Sequence, residues 1–205
     1  MSLRASPGWS LLAVLLSVMA LSSPCVSAHG SDGPAERLAE IGPAPDFTLV
    51  DQAGSEFSTA NLRGKVVALN FVFTQCTDVC PIATAKMVQI QRTLGEQFGR
   101  DVFFVSVSID PVHDTPEVLA RYARALGCDP SGWAFLTGTP EAVRAAARSY
   151  GVYHDQGSGG EVDHNLLTSL VDREGIMRVQ YMGERFDPNE LLHDLRDLMA
   201  EGRSP

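Results

Sequence analysis

Apolar and polar positions alternate from Phe47 to Val50, break at Gln52-Ala53-Gly54 and resume at Glu56-Phe57-Ser58. This is the pattern of a β-hairpin. Gly64 then introduces Lys65 to Phe73, a nearly continuous apolar run. A run of that length predicts a strand buried on both faces, as in a parallel sheet. Val102 to Ile109 is a second one. Between them, Pro81 to Phe98 has helical spacing, with Ile82, Met87, Ile90 and Leu94 on or near one face. Thr115 to Leu126 reads as a helix with Thr115 as N-cap, Pro116 at the first helical position and Gly127 at its end. Trp133 to Leu136 is a short strand, and Thr139-Pro140-Glu141 opens a helix to about Tyr150. After a glycine-rich loop at 157–160, Leu166 to Asp172 and Ile176 to Met182 predict two strands around Arg173-Glu174-Gly175. Asp187-Pro188-Asn189-Glu190 starts a last helix, Leu191 to Met199.

Strands alternating with helices and closing in a hairpin and a helix predict an α/β domain: a central mixed sheet with helices on both faces and an N-terminal β-hairpin. The economical match is a thioredoxin-like fold over residues 46–202. Residues 29–45, rich in Gly, Pro and Ala, read as a flexible linker. Upstream, Arg4 precedes an uncharged apolar run from Leu11 to Leu21, and Val26-Ser27-Ala28 offers a cleavage site. Residues 1–28 therefore read as a secretory signal peptide. The run is shorter than the ~20 residues of a comfortable span. An uncleaved anchor to the inner membrane is the alternative. Cys25 follows Pro24, a poor context for lipid attachment.

Composition narrows the partners. The formal net charge is −9, and Arg4 is the only charged residue before His29. An acidic domain repels nucleic acid and anionic lipid surfaces. Export makes the cysteines informative. In an oxidising compartment a close pair forms a disulfide unless something reduces or binds it. Cys76 and Cys80 are such a pair; the odd Cys128 reads as a small buried hydrophobe.

Cys76-Thr77-Asp78-Val79-Cys80-Pro81 lies where the first buried strand gives way to a helix. With Pro81 read as the first helical residue, both thiols sit at the N-terminal turn. Unpaired N–H groups and the positive dipole end there favour thiolate. Thiolate both attacks disulfides and ligates soft metals. Thioredoxin-like oxidoreductases space their cysteines by two residues; three intervene here, room for two sulfurs to diverge around one ion. Thiolates select Cu(I) or Zn, and imidazole is the usual third donor. The candidates are His29, His113, His154, His164 and His193. Position favours His164, directly before a predicted strand and facing the cysteine turn. His113 lies in a loop after a sheet strand, and His193 reads as surface.

The stretch from Asn70 to Pro81, with its C-x-x-x-C-P after an apolar strand, resembles the signature of the Sco (SenC) family. Ser106-Val107-Ser108-Ile109-Asp110-Pro111, Asp114-Thr115-Pro116 and Asp163-His164 are also similar to the family pattern. The resemblance spans residues 40–200. It implies that Cys76, Cys80 and His164 bind one copper per chain, as Cu(I), Cu(II) or both. It also implies that the protein helps build the dinuclear copper site of cytochrome c oxidase subunit II, in the periplasm or cell envelope. Periplasmic copper donors or thiol reductants would be further partners. Asp78 is an auxiliary candidate that tunes the thiols or adds an oxygen. Thr77, Asn165 and Ser169 stand where relatives often have Pro, Ser and Tyr; none of these changes removes a donor atom.

The same residues admit a different chemistry. As a thiol–disulfide oxidoreductase, Cys76 and Cys80 would be a catalytic redox pair keeping the oxidase cysteines reduced. Reductases of this fold place a cis-proline opposite the cysteines, whereas Asp163-His164-Asn165 offers a histidine. A peroxidase of the peroxiredoxin kind would need threonine where Phe73 stands.

Overall fold

The computed structural model describes residues 38–77, 79–156, 162–164, 167–183 and 186–201. The predicted signal peptide of residues 1–28 lies outside them. The hairpin forms as β2 (Thr48–Asp51) and β3 (Glu56–Ser58). β4 (Val66–Val72) and β5 (Val102–Ser108) are the two apolar strands, and they pair in parallel. β6 (Trp133–Thr137) extends the parallel set. β9 (Leu167–Val171) and β10 (Ile176–Met182) run antiparallel to one another, and β9 runs antiparallel to β4. With β1 (Gly42–Pro43) they make an eight-stranded mixed sheet of order β1-β10-β9-β4-β5-β6-β2-β3.

β4 explains why a continuous apolar run is needed. Val66, Ala68 and Val72 face one core, with α1 (Val79–Leu94), α2 (Pro116–Leu126) and α4 (Pro188–Glu201). Val67, Leu69 and Phe71 face a second core with α3 (Pro140–Ser149). All seven residues of β4 are buried. The helices start where local chemistry says they should. Thr115 Oγ1 accepts from Val118 N–H at 3.4 Å, Thr139 Oγ1 accepts from Ala142 N–H at 3.2 Å, and proline follows each cap. Gly127 closes α2 at φ 79°, a left-handed conformation favourable only to glycine among ordinary residues.

Two predictions need correction. The linker read over 29–45 does not extend through 38–45. Gly42 and Pro43 pair with Met177 and Ile176, Ala44 is buried, and Tyr150 Oη donates to Pro45 O at 3.1 Å. The domain therefore begins upstream of residue 46. A two-residue strand carries no period, so composition alone suggested a linker. The second correction is a separate two-stranded sheet before β9. β7 (His154–Gln156) pairs antiparallel with β8 (Val162–His164), and His154 faces His164 in the register.

Candidate metal centre

The cysteine loop is made by strand register and a helix start. β4 ends at Val72, whose carbonyl accepts from Ile109 N–H at 2.9 Å, so the exits of β4 and β5 are tied together. Cys76 N–H then donates to Phe73 O at 3.2 Å, closing a tight turn. α1 begins at Val79, not at Pro81 as predicted. Pro81 is thus the third helical residue, and Cys80 is helical despite preceding a proline. The first four N–H groups of a helix lack intrahelical partners, so proline loses nothing at any of them. One of those N–H groups, on Cys80, points at Cys76 Sγ at 3.4 Å. That contact brings the two residues together, and both are present as thiols.

Their environments differ. Cys76 is half-buried, whereas Cys80 is 0% exposed and packs with Val72, Ala83 and Met87 in the core. Burial pushes the Cys80 thiol up to about 12, and the neighbouring Cys76 and Asp114 add to it; a hydrogen bond to the Phe73 backbone works the other way. This reverses the sequence expectation for Cys80. A helix terminus contributes about 0.3–1 kcal/mol, under one pKa unit, whereas full burial costs several units. A thiolate at Cys80 would thus need a balancing cation, and a metal bound there would release the ligand proton. Cys128 is buried, as expected, with its thiol likewise pushed up to about 12 by burial.

Of the five histidines, two have described side chains, His113 and His193. Thr168 of β9 lies opposite Asn70 of β4, so β9 starts at the end of the sheet from which the cysteine loop leaves. His164 ends β8 three residues before Leu167, a chain reach of about 10 Å. Its backbone is thereby held near that end. The side chains of His154 and His164 lie outside the described residues, as do Asp78 and His29. His113 is exposed and its Nδ1 lies 2.8 Å from Asp110 Oδ2. His193 is exposed on α4, 3.4 Å from Asp197, as predicted.

Asp114 is a site residue that sequence reasoning did not single out. Its carboxylate is fully buried and accepts from Thr74 N–H at 3.1 Å, from Ser108 Oγ at 2.6 Å and from the Thr74 hydroxyl. Its place in the Asp-Pro-x-x-Asp-Thr-Pro run was visible; its contact with a segment 40 residues earlier was not. On the helical side, Tyr122 Oη sits 3.3 Å from Thr84 Oγ1, one turn after Cys80.

This arrangement suits a soft cation: two sulfurs at a helix start, and a short strand that ends in a histidine within chain reach of the same end of the sheet. Comparison with known proteins agrees. The family model SCO1/SenC matches residues 37–200. The mitochondrial Protein SCO2 homolog of Homo sapiens is 34% identical over 174 residues, covering 82% of this chain and 64% of that protein. The chain thus spans somewhat under two thirds of that relative's length. The crystal structure of Arabidopsis thaliana ScoI with copper bound is 30% identical with a TM-score of 0.67, covering 77% of this chain and 98% of that one. BsSco, a member of the Sco family of cytochrome c oxidase assembly proteins in which a disulfide switch was identified, is 28% identical with a TM-score of 0.69. It covers 80% of this chain and 97% of that one. With four fifths of its length matched, this thioredoxin-like chain belongs to the SCO1/SenC family.

Proposed function

We propose that this protein carries one copper ion on Cys76, Cys80 and His164, and delivers it to the dinuclear copper site of cytochrome c oxidase subunit II after export to the periplasm or cell envelope. Residues 1–28 would direct that export, cleaved or retained as an anchor. Periplasmic copper donors or thiol reductants would prepare the site. The observation that carries the reading is the meeting of Cys76 Sγ with Cys80 N–H at the first turn of α1, at the end of the sheet within chain reach of His164. Copper-bound relatives such as Arabidopsis thaliana ScoI support the choice of metal.

The site's chemistry follows from its donors. Two thiolates and an imidazole suit Cu(I), and nitrogen helps to hold Cu(II). Oxidation to a Cys76–Cys80 disulfide removes both sulfur ligands, so loading requires reduction first. Asp78, between the cysteines, would balance the charge of the bound cation.

The test is a Cu(I) titration of reduced protein against a chromogenic Cu(I) chelator. One equivalent is retained by the wild type, and none is held tightly by the oxidised protein or by Cys80→Ser. One tightly held Cu(I) in Cys80→Ser overturns the assignment. A second reading, a reductase of the oxidase cysteines, is favoured by the pairing of a half-exposed Cys76 with a buried Cys80, an attacking and a resolving thiol. Reduction of a small disulfide by metal-free protein faster than by a simple alkanethiol would favour it.

A further inference from the structure

Two carboxylates, Asp114 and Asp172, are buried among the described residues. Asp172 is paired with Arg178 at 3.0 Å. The donors to Asp114 are uncharged: the Thr74 amide, the Thr74 hydroxyl and the Ser108 hydroxyl. A buried carboxylate is costly, and it persists only where its acceptor sites are filled. The geometry shows what this one holds. Asp114 sits in the loop between β5 and α2, Ser108 ends β5, and Thr74 lies two residues before Cys76 in the loop between β4 and α1. The frame is completed by Asp114 N–H donating to Asp110 O at 2.9 Å and Asp110 N–H donating to Ser108 Oγ at 3.0 Å. Two adjacent crossover loops are thereby stapled, and the cysteine-bearing loop is gripped through both its main chain and its side chain.

We propose that Asp114 is a positioning residue for the Cys76–Cys80 site, fixing the Phe73–Cys76 turn so that both sulfurs stand in place before the metal arrives. The inference rests on the copper reading of those cysteines. Without the staple, the loop must be ordered at the moment of binding, which lowers affinity. Outer-shell partners of metal ligands typically contribute 10–100-fold in affinity.

The experiment compares Asp114→Ala, Asp114→Asn, Thr74→Val and Thr74→Ser with the wild type. Cu(I) affinity is measured by chelator competition, and amide exchange is followed by NMR in the metal-free reduced proteins. Asp114→Ala is expected to lose about 10–100-fold in Cu(I) affinity. Exchange at Thr74 and Cys80 rises about tenfold while that of Leu69 and Asn70 in β4 is unchanged. Asp114→Asn keeps an acceptor for the Thr74 amide and recovers most of the affinity. Thr74→Val weakens binding and Thr74→Ser restores it, so this pair decides should Asp114→Ala not fold. Wild-type affinity in Asp114→Ala and Thr74→Val overturns the proposal, as does an Asp114→Asn protein no better than Asp114→Ala. Failure of the wild type to bind Cu(I) would instead sink the copper reading, while the exchange data still report on the staple.

Discussion

The two thiols, four residues apart, differ in access because one is wrapped by the core and the other is not. Cys80 is 0% exposed and Cys76 half-buried. Thiol reagents need access as well as thiolate. Iodoacetamide is therefore expected to modify Cys76 at least about tenfold faster than Cys80 in native reduced protein, read by peptide mass spectrometry. Equal rates would mean that Cys80 is not buried in solution. Absorption tests the proposed imidazole. His164→Ala should weaken and shift the thiolate-to-copper band of the Cu(II) form, and His113→Ala should leave it unchanged; the reverse result would make His113, whose Nδ1 lies 2.8 Å from Asp110 with Nε2 left for a metal, the ligand. At this scale the candidate donor types were legible: two close cysteines and a histidine are types that soft metals use, and the same two thiols also admit redox chemistry. The burial of Cys80 was not, since it depends on α1 packing against β4 and α4.

Element boundaries follow local rules where the signal is local. Thr115-Pro116-Glu117 and Thr139-Pro140-Glu141 predict helix starts that the structure reproduces to the residue. Thr115→Ala should cost about 1 kcal/mol in urea unfolding, the ordinary value of a lost N-cap. A loss below a few tenths would mean that water satisfies the Val118 N–H equally well. Pro81 misled because proline is compatible with several first-turn positions, and only the Cys80 contact with Cys76 identifies which one is used. β7 and β8, three residues each, are too short to show periodicity; their partner is each other, across a glycine-rich stretch.

At the scale of the molecule, a buried arginine ties the ends together. The register of β10 shifts between Met177 and Val179, and this bulge turns Arg178 inward, where its side chain is 0% exposed. Bulges re-aim side chains in this way. Arg178 Nη1 donates to Asp172 at 3.0 Å and to Glu201 at 2.7 Å, Nε donates to Leu38 O at 3.0 Å, and Nη2 also bonds Leu38 O. One guanidinium thus joins the first described residues, the turn after β9 and the last turn of α4. Arg178→Ala strands a buried Asp172 and should cost about 3–5 kcal/mol in denaturant unfolding. A loss under 1 kcal/mol would show that water replaces the clamp. A smaller polar chain crosses the sheet itself: Trp133 Nε1 donates to Ser106 Oγ at 2.9 Å, and Ser106 Oγ donates to Asn70 at 2.7 Å, aligning β6, β5 and β4.

By itself the sequence determined the alternation of strands and helices, the caps and the doubly buried strands, because each depends on neighbours within about one turn or one strand; it also placed the close cysteine pair at a strand-to-helix junction. Only the tertiary structure decided the sheet order, the inward turn of Arg178, the attachment of residues 38–45 and the contacts of Asp114. Each of these joins residues far apart in the chain, 40 positions for Asp114 and Thr74 and 140 for Arg178 and Leu38. Such contacts are selected by which faces pack and which buried groups must find partners, and no local pattern records that choice.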